Sequence, residues 1–315
     1  MRKRCLDMVY ELAQKDDRVV FVGSDLSPGL LSEMQHAYPE RYFMEGIAEA
    51  NVIGMSAGLA MEGYLPYVNT IATFITRRCY EQVAVDLCLH DLPVRLIGNG
   101  GGYVYAPLGP THEAIEDLAI MRALPNMTVT SVCDADEMTR LMEASLDWPH
   151  PIYIRLAKGG DEIVSRPERG FMLGRMIDMI DGESGSADVL FVATGIATTQ
   201  ALHAAEQLKD DGIRCRLLHA HTVKPLETES IVSAANQAGL VVTVEEHSLI
   251  GGLGSAVLEA VCDSAPQKMP RILRLGIPDC FATNYGSQEQ LMEHYSFDAS
   301  GIRRQTLEAL NETCK

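Results

Sequence analysis

Gly46-Ile47-Ala48-Glu49-Ala50-Asn51-Val52-Ile53-Gly54-Met55-Ser56-Ala57-Gly58-Leu59-Ala60 is a helix pattern with a carboxylate at its start. After Asn51 every face is apolar or small, so the spacing predicts a buried helix over 48–61. The positive end of the helix dipole favours a glutamate at that start. An unpaired buried charge is costly, however, so such a residue needs a partner. Working outward, β-branched runs at 18–22, 65–68, 93–97, 127–131 and 152–156 alternate with helical patterns at 30–36, 48–61, 73–89 and from 136. After a charged, Gly-rich stretch the rhythm resumes. It gives strands at 189–193, 214–218 and 240–244, and helices at 198–209 and from 253. This alternation predicts an α/β chain of two consecutive parallel-sheet domains, 1–165 and 187–315, joined by a linker at 166–186. Such folds place ligands beyond the carboxyl ends of their strands.

The 315 residues are 47% hydrophobic and 22% charged, enough for two cores. A formal charge of −17 argues against nucleic acid or an anionic membrane as partner, because both reward basic surfaces. Eight cysteines show no CxxC pair and no metal-ligand spacing. Free thiols in apolar runs fit a reducing compartment. No run reaches membrane-spanning length, and no signal-peptide core follows the basic start. A cytoplasmic protein is expected.

The stretch around Glu49 resembles the segment of transketolases and deoxyxylulose-phosphate synthases whose glutamate contacts the aminopyrimidine of thiamine diphosphate. Further motifs follow in family order. Thr73-Phe74-Ile75-Thr76-Arg77-Arg78-Cys79-Tyr80-Glu81-Gln82-Val83 resembles the segment whose phenylalanine packs on that ring. Gly109-Pro110-Thr111-His112-Glu113 resembles the GPTH loop, and Asn126-Met127 and the Asp134–Glu137 region continue the likeness. Thr222-Val223-Lys224-Pro225-Leu226-Glu227 and the run Glu245 to Gly254 resemble the carboxyl-terminal domain. Gly251-Gly252-Leu253-Gly254 lacks the GxGxxG spacing of a dinucleotide loop and is expected to shape a turn.

The resemblance implies a fold of a pyrimidine-binding domain and a transketolase carboxyl-terminal domain, with thiamine diphosphate as cofactor. Glu49 is then the glutamate on the pyrimidine nitrogen. Its hydrogen bond favours the tautomer that can accept the thiazolium proton, and a charge-assisted bond of this kind contributes about 1.5–3 kcal/mol. Phe74 stacks on the ring and Tyr80 lines the same pocket. His112, an imidazole on a loop facing a cleft, is suited to acid–base work on the substrate. Arg155 matches an arginine that grips a substrate's distal phosphate, and Arg77 falls where the synthases carry a substrate-binding arginine. Leu108 stands where ordinary transketolases have an aspartate that bonds a donor hydroxyl. Gly100 and Gly29 lie near the places of a phosphate-binding histidine and a serine. An unusual two-carbon ketol donor is expected.

Complete transketolases bind the diphosphate through Mg2+ on an amino-terminal domain marked by GDG and a later asparagine. This sequence contains no GDG. The resemblance therefore implies a split transketolase. Its partner, an amino-terminal subunit carrying GDG…N, supplies the metal ligands, and two chains of each kind form a heterotetramer acting on sugars or sugar phosphates. The alternatives are the beta subunit of a 2-oxoacid dehydrogenase, a deoxyxylulose-phosphate-synthase-like enzyme, and a non-catalytic paralogue that only assembles with a partner.

Overall fold

Short β-branched runs, apolar on both faces, can only be satisfied between two helical layers. The computed structural model, which describes residues 1–24, 26, 29–180, 186–266 and 268–312, builds them that way. Asp25, Ser27 and Pro28, between the expected strand at 18–22 and the helical pattern at 30–36, and linker residues 181–185 lie outside the described residues.

The first unit has β1 (Val19–Gly23), β2 (Tyr42–Met44), β3 (Leu65–Ile71), β4 (Arg95–Asn99), β5 (Thr128–Ser131) and β6 (Ile152–Leu156). The second has β7 (Ile177–Asp178), β8 (Ala187–Ala193), β9 (Cys215–His219), β10 (Thr222–Lys224), β11 (Ala238–Ser248) and β12 (Ile272–Ile277). Their sheets run β10-β5-β6-β4-β3-β1-β2 and β12-β11-β8-β9-β7. Both are parallel except at one edge each, where β10 and β7 run antiparallel to their neighbours. The fold class read from the sequence is the observed one. β7 falls inside the expected linker and pairs with β9.

In the first sheet the chain leaves β1 for β2 and then crosses to β3 on the other side. That reversal is a topological switch point, where open α/β sheets hold ligands. The register aligns the carboxyl ends, with Gly23 opposite Asn69 and Ile71 opposite Asn99. The helix Glu49–Met61, the helical segment from Phe74 and the loop through His112 follow β2, β3 and β4 respectively.

Helix Glu49–Met61 corrects one expectation. It buries Val52, Ile53, Ser56, Ala57 and Ala60, but Asn51, Gly54, Gly58 and Met61 on its other face are exposed. One sheet can cover only one side of a helix. Its all-round apolar character thus exceeds what this chain alone can bury.

The two units meet through buried polar contacts. Arg155, at the carboxyl end of β6, is 5% exposed and pairs with Asp117 at 2.8 Å. Its Nη2 donates to the carbonyls of Ala114 (3.0 Å) and, in the second unit, Glu246 (2.9 Å). The Glu246 carboxylate reaches back to accept from the Tyr103 amide at 2.8 Å. It packs where a side chain on Gly102 would stand, and Gly102 has a φ of +61°. Nearby, Glu137 and His219 pair across the seam at 2.9 Å with neither exposed. Burial alone would raise the Glu137 carboxyl, but His219 and His221 outweigh it and hold it down at about 2.

Breaking a buried ion pair from one side strands the other charge. Arg155→Met should therefore lower the unfolding free energy by about 3–5 kcal/mol, read by denaturant titration. A loss below about 1 kcal/mol, typical of an exposed pair, would show that the clasp carries little.

Candidate functional site

Glu49 opens its helix 6% exposed, which makes its partner decisive. That partner is Arg78. Its Nη1 donates to both carboxylate oxygens at 3.2 Å. The guanidinium carbon lies 3.7 Å from the centre of the Phe74 ring. Phe74 in turn meets the His112 ring edge-on, with centroids 5.3 Å apart and planes at 64°. Glu49, Arg78, Phe74 and His112 thus form one contiguous cluster at the switch point.

Local geometry explains the contacts. The helix expected over 73–89 is present, but its turns widen to π-helical at Phe74–Arg78 and Val83–Leu89, around a short α-helical Tyr80–Gln82. Such widened turns are frequent at functional sites. Phe74 and Arg78 sit four residues apart and stack. His112 is placed by a turn in which its amide donates to the Gly109 carbonyl at 2.9 Å, and its Nδ1 lies 2.9 Å from the Thr111 hydroxyl. Gly109 has a φ of +79°, and the exposed Tyr285 of the second unit packs where its side chain would stand.

The remaining expected residues fall differently. Tyr80 is partly buried against the apolar cluster that includes Val52 and Ile53, and its hydroxyl donates to the Ile120 carbonyl at 3.0 Å. Arg77 points back to the GPTH segment, pairing with Glu116 at 3.0 Å and donating to the Glu113 carbonyl at 3.3 Å. Leu108 is 54% exposed on the turn Ala106–Leu108, just before the GPTH loop. Arg155 is not brought to the cluster. It lies at the seam, where its Nε and Nη2 bond to Asp117 and to the carbonyls of Ala114 and Glu246. The Tyr105 ring fills the space beside Gly100, so no larger residue fits there without moving it.

Sequence reasoning missed Arg78 and Tyr285. Arg78 was legible as the cation one turn beyond Phe74. Nothing local marks Tyr285, which comes from the other domain.

Among the described residues, one group could bring metal-ligating atoms together: Cys133, Glu137 and His219, all buried. Oε2 of Glu137 already meets His219 at 2.9 Å and accepts from the Cys133 amide at 2.8 Å, while its Oε1 has no partner. This trio works as a pin between the domains. The Gly251–Gly254 run shapes a turn as expected. The amides of Leu253 and Gly254 donate to the Glu245 carboxylate at 2.7 and 2.8 Å, so that helix start is already occupied.

Comparison with known proteins agrees with this fold. Residues 1–160 match the family described as "Transketolase, pyrimidine binding domain", and residues 180–302 match "Transketolase, C-terminal domain". The chain belongs to the transketolase family. It is 33% identical to a subunit of the apulose-4-phosphate transketolase of Phocaeicola vulgatus, over 98% of this chain and 96% of that one. It is 35% identical to a 6-deoxy-6-sulfo-D-fructose transketolase subunit of a Clostridium species, over 96% and 92% of the two chains. A solved structure described as a split gene transketolase, inactive beta4 tetramer, superposes with a TM-score of 0.88, at 35% identity and 98% coverage of both chains. As in the rest of the transketolase family, thiamine diphosphate is the cofactor that this domain pair implies.

The residue after His112 departs from ordinary carboxylate behaviour. Glu113 is 1% exposed and neither of its oxygens has a hydrogen-bond partner. Burial pushes its carboxyl from 4.5 up to about 7. A carboxyl raised on folding contributes stability fully below its unfolded value, and loses it as pH rises through the folded one. Thermal unfolding of Glu113→Gln and wild type, measured from pH 5 to 8, should therefore diverge as pH rises, with the glutamine variant gaining relative stability. Parallel curves would mean that Glu113 has an ordinary environment.

Proposed function

We propose that this chain is the pyrimidine-side subunit of a split, thiamine-diphosphate-dependent transketolase that transfers a two-carbon ketol unit between sugars or sugar phosphates. The observation that carries this reading is the contact of a buried carboxylate, an aromatic face and a loop imidazole at the switch point. A flat nitrogen-bearing group already lies on Phe74 and against Glu49, as the aminopyrimidine would. The ring face and the carboxylate thus fit the cofactor's pyrimidine.

Thiamine diphosphate supplies, when bound, a thiazolium carbon acid and an electron sink. The chain's own groups orient it. Glu49 holds the hydrogen bond at the pyrimidine nitrogen, and Phe74 packs against the ring and keeps water from that face. His112, against the edge of Phe74, holds or moves a proton on a substrate hydroxyl. Tyr80 supports the pocket wall from behind, and Arg77 fixes the GPTH segment that carries His112. Leu108 lines the donor's approach.

The bare face of helix Glu49–Met61 supports a partner, since Gly54, Gly58 and Met61 are exposed where an apolar helix would be covered. Both relatives are named as transketolase subunits, and the solved split-gene tetramer of beta chains is described as inactive, which points the same way. In this reading an amino-terminal subunit bearing GDG…N supplies the Mg2+ ligands, two chains of each kind assemble, and the complex works in the cytoplasm. The chain divides into 1–165, a connector at 166–186, and 187–315. No helix among the described residues is long and apolar enough to cross a membrane.

Mixing the chain with such a partner should produce Mg2+-dependent cofactor binding and turnover that neither chain shows alone. In that complex Glu49→Ala should slow proton exchange at the thiazolium carbon about tenfold to a hundredfold, the worth of one charge-assisted hydrogen bond. An alanine complex exchanging at the wild-type rate would remove Glu49 from this role.

Leu108 supports an unusual donor. A leucine accepts no hydrogen bond, so a hydroxyl held against it loses roughly 1–3 kcal/mol, or about tenfold to a hundredfold in binding. The relatives are named for apulose 4-phosphate and 6-deoxy-6-sulfo-D-fructose, sugars other than xylulose 5-phosphate. Donors that differ beside the ketone, are branched, or lack the terminal phosphate should give higher kcat/KM than xylulose 5-phosphate. Leu108→Asp should shift that preference back. If xylulose 5-phosphate is already the best substrate of the wild type, Leu108 has no part in donor choice.

A further inference from the structure

Arg78 has no role in the chemistry above, yet it makes the closest contacts to both residues that define the pyrimidine site. Its Nη1 sits 3.2 Å from each Glu49 oxygen. Its guanidinium carbon lies 3.7 Å from the Phe74 ring centre. A guanidinium is flat, rich in N–H donors and able to stack on an aromatic face. Those are the properties through which a pyrimidine would meet the same two side chains. One Phe74 face and one carboxylate cannot serve both groups at once.

We infer that Arg78 is a placeholder, filling the pyrimidine site of the empty subunit and leaving it when the cofactor enters. The inference rests on the cofactor reading above and concerns how the site waits and exchanges. Three observations support it. Glu49 is 6% exposed, so without a cation its charge would be left nearly unpaired in the empty chain. The Arg78 side chain is 48% exposed, so its way out to solvent is open and its withdrawal needs no repacking of the core. It stands at the last residue of the π-helical turn Phe74–Arg78, next to Cys79, whose backbone already departs from helical geometry at φ −126° and ψ 27°. Arg77, its neighbour, is held by Glu116 and the Glu113 carbonyl, so the two arginines divide the work. One fastens the loop and the other occupies the pocket.

Cofactor binding then becomes an exchange, in which the ring nitrogen and ring face replace contacts that Arg78 gives up. The measured affinity is reduced by the strength of the contacts displaced. Removing the placeholder should tighten binding and weaken the empty chain.

Two measurements test this with Arg78→Met, which keeps stem length and loses the charge. In the free chain, melting temperatures of wild type, R78M, E49Q and the double variant form a cycle. R78M should melt lower, and the double variant should lose clearly less than the sum of the single losses. Additive losses overturn the resting pair. In the complex with the partner subunit, calorimetry with thiamine diphosphate and Mg2+ should show R78M binding about tenfold tighter than wild type. Equal or weaker binding by R78M, with wild type binding normally, overturns the placeholder and leaves the cofactor reading standing. Binding by neither complex overturns the cofactor reading itself, while the free-chain cycle still reports whether Arg78 and Glu49 pair.

Discussion

The buried guanidinium of Arg155 is the constraint on which the rest of the architecture depends. It is the point where the first sheet, the segment after His112 and the second domain are bound to one another, through Asp117, the Ala114 carbonyl and the Glu246 carbonyl. A buried cation needs partners for its donors, and those here come from two distant parts of the chain, the segment Ala114–Asp117 and Glu246 of the second unit. The relative placement of the domains is therefore set by hydrogen-bond geometry as well as by apolar packing. His112 lies two residues before Ala114, so the loop that presents it is tethered close to the clasp. Tyr285, reaching from the second domain against Gly109, extends the same closure to the other end of that loop.

A second buried charge, Glu49, obeys the same rule with a different outcome. Arg155 is paired inside the protein through its Nε and Nη2, with Asp117 and the carbonyls of Ala114 and Glu246. Glu49 is paired with a half-exposed arginine that stands on a widened helical turn. The two sites contrast a pair buried on both sides with one whose cation reaches solvent. A carboxylate that must meet a ligand has to be buried enough to discriminate and yet stable before the ligand arrives. A cation from the same chain, free on its solvent side, meets both requirements.

The fold was legible because it rests on periodicity. Apolar strand runs and helical patterns at regular spacing gave the two α/β units, and motif order along the chain gave the family. Glu49, Phe74 and His112 were legible because each lies inside a local motif, and the structure brings those three together. Arg155 was less legible, for a physical reason. Its motif fixes its position at the end of β6, but only tertiary packing decides whether a strand-end arginine faces a cleft or a neighbouring domain. Arg77 and Arg78 show the same limit at finer scale. Adjacent arginines on a helix point in different directions, and the wider turn at Phe74–Arg78 decides which of them stacks. Strand β10, which leaves the second unit to pair with β5, has no local signal at all.

The apolar helix behind Glu49 carries the last step. Its sequence demands burial on all sides, whereas the chain covers one face and leaves Asn51, Gly54, Gly58 and Met61 in solvent. Small residues on an uncovered face allow close backbone approach by another surface. The residue that opens this helix is also the one that pairs with Arg78. Anything that packs on the bare face therefore packs on the element that holds the site's carboxylate, so assembly and cofactor binding act on the same helix. Under the proposed function, a free subunit keeps this helix face uncovered and its glutamate paired internally. On that reading, assembly and cofactor entry would change both conditions at adjoining positions.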